Sequence, residues 1–312
     1  MERFQSPLNF MGLPDELADR KRAKVWLLPI PYEATTSYGA GTRNGPDAIL
    51  TASRQVEWFD REWDCEPVAG FGVHTLPPLA TTHGSPEAMT RHVADAVRDL
   101  LTGEPAPRTL AILGGEHSIS GGVARGMAAT ERGRDMVAVQ IDAHADLRDE
   151  YEGSPFSHAC AARRILETCP VFQIGIRNIS EAEERFRKIC PHVRTVFAED
   201  ARPGGDWLAD LAAFVQGKNV FMTIDLDGLD PSIMPAVGTP EPGGLSWETT
   251  LDVVRTVCRE AAAVPVFDVV ELAPIPGMIA PDFLAARLAY KIMAMIEMRP
   301  PARSVADPGA VA

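Results

Sequence analysis

The stretch Val137–Asp146 reads VAVQIDAHAD, and its two halves carry different information. Val137–Ile141 is a short, almost continuously apolar and β-branched run, the pattern of a strand covered on both faces. The second half sets Asp142, His144 and Asp146 at every other position. In an extended segment those side chains point to one side, so two carboxylates and an imidazole converge at the strand's C-terminal end. Open α/β sheets place their sites at such ends. Without a cation between them, groups so crowded desolvate and repel one another, which points to a metal site.

The same kind of run recurs outward along the chain, at Lys24–Pro29, Thr109–Leu113, Val171–Ile176, Val220–Asp225 and Val264–Val270. Helical patterns separate these runs. Ser85-Pro86-Glu87 supplies an N-cap and a proline for the first turn, followed by an apolar stripe of Met89, Val93, Val97, Leu100 and Leu101. Ser246 caps a second helix that buries Leu251, Val254, Val257 and Cys258, and a last helix is expected over Asp282–Met298. Strand and helix in alternation predict a parallel α/β sheet. Pro235–Leu245 is a loop within this pattern, so a single domain is expected over 1–312. An N-terminal extension covers Met1–Arg22, and the Pro/Ala-rich tail Arg299–Ala312 is expected to be disordered.

Two further segments carry ligand-type residues to strand ends. Asp225-Leu226-Asp227 closes the run Val220–Asp225, and Gly114-Gly115-Glu116-His117 follows Thr109–Leu113 with a histidine after a glycine-permitted turn. Singly, each is weak: a D-x-D is more often a loop cap, and a histidine after glycines more often structural. Together with Asp142, His144 and Asp146 they give two imidazoles, four carboxylates and no thiolate. That set suits hard or intermediate divalent ions, manganese over zinc, and offers more carboxylates than one ion needs. Two ions sharing a water would supply a nucleophile near neutral pH, so the chemistry implied is hydrolysis.

Composition narrows the partners. A net charge of -13 repels nucleic acid. No run of about 18 apolar residues suggests a membrane span, and Met1–Gln5 lacks the basic and apolar start of a secretory signal. The cysteines at 65, 160, 169, 190 and 258 contain no C-x-x-C pair, which fits reduced thiols and a cytoplasmic setting.

Gly114–Ser118 (GGEHS), Asp142–Asp146 (DAHAD) and Thr223–Asp227 (TIDLD), followed by Leu229–Ser232 and Gly238-Thr239-Pro240, resemble the ureohydrolase family of arginases and agmatinases. The resemblance runs from about Pro29 to the end of the last helix. Pro31-Tyr32-Glu33, Thr35–Pro46 and Ser157-His158-Ala159 are more similar to agmatinases than to arginases. It implies a three-layer α/β/α fold around an eight-stranded, largely parallel sheet, with two manganese ions. His117, Asp142, Asp146 and Asp225 would hold one ion, and Asp142, His144, Asp225 and Asp227 the other. It also implies catalytic roles. Asp146 would carry a proton to the leaving amine, Glu271 would pair with the substrate guanidinium and His158 would shuttle protons, while Thr239 would either orient Glu271 or serve the Gly238-Thr239-Pro240 loop structurally. Homo-oligomers, trimers or hexamers, are implied as well, with Met1–Arg22 available to pack on a neighbour. His74, His83, His92 and His192 have no partner motif and are expected on the surface or in packing roles.

Leu147–Ser154 (LRDEYEGS) follows the central motif, where the family's arginases use Asn and Ser to bind an amino-acid head group. Here Asp149, Glu150 and Glu152 favour a cationic amine tail, whereas Arg148 favours a carboxylate such as that of 4-guanidinobutyrate. The expected reaction is therefore agmatine to putrescine and urea, with another guanidino compound as the alternative. Two other classes stay open: a single-zinc deacetylase on a related fold, and a non-catalytic metal-binding relative.

Overall fold

The computed structural model describes residues 8–82 and 84–299; the expectations for His83 and for all of the tail beyond Arg299 lie outside them. Eight strands form one sheet: β1 (Val25–Ile30), β2 (Val73–Thr75), β3 (Thr109–Gly114), β4 (Met136–Ile141), β5 (Val171–Ile176), β6 (Val193–Phe197), β7 (Asn219–Asp225) and β8 (Ala263–Val270). Their order is β2-β1-β3-β8-β7-β4-β5-β6, and every pairing is parallel. Six of these strands coincide with the apolar runs of the sequence to within a residue at each end. The other two, β2 and β6, are the edges of the sheet.

Alternate residues on the central strands feed two separate cores. Val137, Val139 and Ile141 of β4, with Met222 and Ile224 of β7, face one side. Met136, Ala138 and Phe221 face the other. Helices Gly45–Ser53, Trp247–Glu260 and Ala280–Glu297 cover the first side. Helices Pro86–Thr102 and Ile119–Ala128 cover the second. Three layers result, and this double cover is why the strand sequences run apolar without alternation. Ser85 caps its helix by accepting from the Ala88 amide at 3.2 Å, and Ser246 accepts from Thr249 at 3.1 Å. The two helices on the second face touch closely: a Cβ on Gly122 would lie 2.6 Å from the Thr90 carbonyl.

The described part of the N-terminal segment packs on the chain itself. Phe10, Met11 and Leu13 are buried in the chain's own core. The Met11 amide donates to Ser53 Oγ at 2.8 Å and the Phe10 amide to Thr75 Oγ1 at 3.0 Å. Large apolar side chains close to β1 find cover on the same chain before they need a neighbour's. Among the described residues no helix is long and apolar enough to cross a membrane, and all five cysteines are free.

Candidate metal centre

The adjacent strands β3, β8, β7 and β4 end side by side, and each delivers part of the site just past its last residue. The chain leaves β3 for β4 and returns later to insert β7 and β8 between them, so their ends frame a crevice at a topological switch point. His117 follows β3, Glu271 follows β8, Asp225 and Asp227 close β7, and Asp142, His144 and Asp146 follow β4.

His117 Nδ1 lies 3.1 Å from Asp142 Oδ2 and 3.2 Å from both Asp146 Oδ2 and Asp225 Oδ2. His144 Nδ1 lies 2.9 Å from Asp227 Oδ2 and 3.7 Å from Asp142 Oδ1. Two candidate ligand groups emerge, His117–Asp142–Asp146 and Asp142–His144–Asp227, with Asp142 common to both. His117 Nδ1 is buried and aimed among three carboxylates, yet makes no hydrogen bond of acceptable geometry with any of them. A single N–H cannot satisfy three oxygens arranged around it. A cation seated between the nitrogen lone pair and those oxygens satisfies all of them, so the donor set fits a pair of divalent ions.

The electrostatics agree. Burial, with the charges of Asp227 and Asp142, pushes the Asp225 carboxyl well above the usual range. Burial and the Asp142 charge carry Asp146 up to about 7. His117 is held well above the ordinary imidazole range, because the surrounding carboxylates outweigh its burial. His144, partly buried, is pushed up to about 12 because Asp142 and Asp227 outweigh that burial. A pocket that protonates its own acids and bases in this way lacks positive charge. Asp146 and Glu271 also adopt left-handed backbone, with φ of 50° and 66°. Such conformations are strained for these residue types and cluster at functional sites.

The residues gather in a cavity of about 200 Å³, whose lining includes His144, Asp146, Asp225, Asp227, His158 and Glu271. Asp142 lies fully buried behind them.

These motifs sit in a chain that matches the Arginase family over residues 23–295. It is 40% identical over 303 residues to an N(1)-aminopropylagmatine ureohydrolase of Synechocystis sp., covering 93% of this chain and 96% of that protein. An agmatinase of Halalkalibacterium halodurans is 33% identical, over 81% and 85% of the two chains. The solved structure of the agmatine ureohydrolase of Thermoplasma volcanium superposes with a TM-score of 0.77 at 28% identity, covering 90% of this chain and 93% of that one. The chain belongs to the Arginase family. It is a hydrolase acting on linear amidines.

Around this Arginase-family centre lies a shell of supports that sequence reading did not find. Glu116, fully buried, accepts from the Ala34 and Thr35 amides at 2.6 and 2.7 Å and from Thr35 Oγ1 at 2.7 Å. Thr35 Oγ1 in turn accepts from the His158 amide at 3.0 Å. One buried carboxylate thus ties the Pro31–Pro46 loop to the segment bearing His158. Close contact reinforces the tie: a Cβ on Gly115 would lie 2.0 Å from the Tyr32 carbonyl oxygen. Arg177 spreads its guanidinium over the carbonyls of Gly175, Asp227, Gly228, Leu229 and Glu241, stapling the ligand turn at Asp227 to the Pro235–Leu245 loop. Gln140 donates to Asp142 Oδ2 at 2.7 Å.

Glu271 is not a surface glutamate. It is 7% exposed, its Oε1 accepts from the His117 amide at 2.6 Å, and burial raises its carboxyl well above the usual range. Thr239 does not reach Glu271; its hydroxyl faces Asp227 Oδ2 at 3.5 Å. His74 packs edge-on against Trp26 with Nδ1 at 2.8 Å from the Ala18 carbonyl, while His92 and His192 are exposed. The acidic residues after the central motif also turn away. Asp149 is taken by Arg164 at 2.9 Å, and of Leu147–Ser154 only Arg148 and Tyr151 line the cavity. Charge composition of a loop does not say which side chains face inward.

Proposed function

We propose that this chain hydrolyses a guanidino amine to urea and the free amine, with agmatine or an aminopropyl-extended agmatine as substrate and two manganese ions as cofactor. Conversion of agmatine would place it in putrescine, and hence polyamine, formation. The observation that carries the reading is that five of the six ligand-type side chains line one cavity with the buried carboxylate of Glu271, and the sixth, Asp142, lies directly behind them. His117, Asp142, Asp146 and Asp225 would hold one ion; Asp142, His144, Asp225 and Asp227 the other. Held by these residues, such ions would supply a water that is nucleophilic near neutral pH.

The remaining work falls to the chain. Glu271 Oε1 is occupied by the His117 amide, which leaves Oε2 to receive a substrate guanidinium by a charge-assisted hydrogen bond. An arriving cation favours the ionised carboxylate and offsets the burial that raises its pKa. Asp146 lines the cavity within the cluster and would take up the proton released by the attacking water and hand it to the leaving amine. The Nδ1 of His158 sits 3.3 Å from the hydroxyls of Thr35 and of Ser157, so Nε2 is the atom available to exchange a proton with that amine. Burial lowers the His158 pKa, keeping the ring neutral and able to accept at neutral pH.

The tail of the substrate is read from the cavity wall and from the relatives. Tyr38 and Tyr151 contribute aromatic rings to the lining, and such faces attract an alkylammonium chain. The relatives at 40% and 33% identity are named for aminopropylagmatine and agmatine. Arg148 supports a second reading, a guanidino acid, since it too lines the cavity. Its charge is shared, however, with Glu183 at 3.8 Å and with the Tyr151 ring at 5.0 Å.

Manganese-loaded protein incubated with agmatine, N(1)-aminopropylagmatine, 4-guanidinobutyrate, arginine and guanidine, followed by urea assay, separates these readings. Turnover is expected with one or both guanidino amines. Urea from guanidinobutyrate alone would transfer the assignment to the Arg148 reading, and one tightly bound zinc without any urea would sink the ureohydrolase reading.

A further inference from the structure

A line of hydroxyls runs from His117 away from the cavity into the sheet. His117 Nε2 lies 3.0 Å from Thr223 Oγ1, Thr223 Oγ1 lies 3.3 Å from Ser120 Oγ, and Ser120 Oγ lies 2.7 Å from Asp268 Oδ2. All four side chains are buried. They come from four places: the turn after β3, strand β7, helix Ile119–Ala128 and strand β8. Asp268 touches neither cavity nor carboxylate cluster, and its Oδ1 is buried with no hydrogen-bond partner.

The direction of this line follows from its far end. An ionised carboxylate accepts only, so Ser120 spends its one proton on Asp268. The Ser120 oxygen must then accept from Thr223. Thr223, its proton used, must accept from His117, which obliges the imidazole to carry its proton on Nε2. When a cation takes the place of the second proton and the ring is neutral, Nδ1 is the nitrogen left with a lone pair, on the side of Asp142, Asp146 and Asp225. Burial raises Asp268 to about 6, which leaves it ionised at pH 7.5.

We infer that Asp268 is a positioning residue that, through Ser120 and Thr223, locks His117 in the Nε2–H tautomer and so presents Nδ1 to a divalent cation. A hydrogen-bonded partner behind a ligating histidine sets which nitrogen binds and makes it more basic. Here the hydroxyls of Ser120 and Thr223 stand between carboxylate and ring, so substituting either disturbs the line without altering His117 or Asp268 themselves. The inference rests on His117 serving as a metal ligand and is independent of which guanidino compound is cleaved.

The test compares wild type with Ser120→Ala, Thr223→Val and Asp268→Asn. Divalent affinity is measured by chelator competition with Mn2+, and the tautomer by long-range proton–nitrogen NMR on zinc-loaded protein, with His117 assigned by its loss in His117→Asn. Wild type should show the Nε2–H form. Ser120→Ala and Thr223→Val should weaken the tighter Mn2+ site by about 10- to 100-fold, with circular dichroism unchanged. Asp268→Asn, whose amide oxygen still accepts from Ser120, should lie between them and wild type. Wild-type affinity and tautomer in both Ser120→Ala and Thr223→Val would overturn the inference while leaving the metal centre intact. Wild-type protein that binds no divalent ion would overturn both. If one variant fails to fold, the other decides, because each breaks the line at a different link.

Discussion

Asp60 and Lys291, where the last helix meets the loop before β2, are as deeply buried as Asp142, Asp146 and Asp225 at the end of the central strands. Around Asp60 the charges balance. Lys291 Nζ sits 3.0 Å from Asp60 and 2.8 Å from Glu62, Arg287 reaches Asp60 at 3.3 Å, and Arg255 grips Glu62 with Nε at 3.0 Å. Arg255 and Lys291 outweigh partial burial and hold Glu62 at about 2. At the candidate metal centre four carboxylates face two imidazoles, and among the described residues no lysine or arginine side chain pairs with those carboxylates. One cluster is complete within the chain; the other is complete only with something added. A buried group whose partners come from its own chain marks architecture, and one whose partners do not marks a site.

The comparison can be broken by substitutions of opposite expected sign. Asp225→Asn removes a ligand and should lower urea release by about three orders of magnitude or more. The same change should raise the melting temperature of metal-free protein at pH 7, because it neutralises a carboxyl that burial already disfavours in its charged form. Lys291→Met should do the reverse. It leaves Asp60 and Glu62 undercompensated and should destabilise the fold by about 3 kcal/mol in chemical denaturation, with kcat and metal content unchanged. A lower melting temperature in metal-free Asp225→Asn would show that the centre is not strained by its own charge.

Acidity gives a smaller and sharper contrast. The Asp146 pKa, raised to about 7 from 3.8, supplies stability that is present in acid and lost as pH climbs through that window. His144, raised to about 12 from 6.5, acts in the same direction above pH 6.5. Chelated protein should therefore lose stability between about pH 4 and 7, and the gain in melting temperature on adding Mn2+ should widen over the same range. Glu62, lowered to about 2 from 4.5, has the opposite sign: its contribution is present above pH 4.5 and lost as pH falls to 2. Acid denaturation of Glu62→Gln should accordingly be less steep than wild type in that lower window.

What could be read from the sequence follows a physical division. The six inner strands were legible because double cover makes them apolar throughout, and the clustering of carboxylates and imidazoles was legible because alternate residues at a strand end share a side. Strand β2 has only three residues, and β6 carries Arg194 and Thr195 on an edge that needs no apolar cover, so neither shows the pattern. The Glu116–Thr35 tie joins residues 81 apart in sequence, and the Arg177 staple works through backbone carbonyls, which no side-chain motif records. The inward turn of Arg148 and outward turn of Asp149 depend on a partner, Arg164, that the loop's own composition does not contain.

The strand order has a consequence for how the chain comes to work at all. As the polypeptide is made, β1 to β3 and β4 to β6 appear first, but no pairing joins β3 to β4. In the folded sheet β2-β1-β3 and β4-β5-β6 are joined only through β8 and β7, which follow them in sequence. His117 and Asp142, which lie 3.1 Å apart, stand on opposite sides of that join. A nascent chain halted before Ala263 would hold all six ligand-type residues but lack β8, the strand that joins the His117 turn after β3 to β7, so its centre would be unfinished.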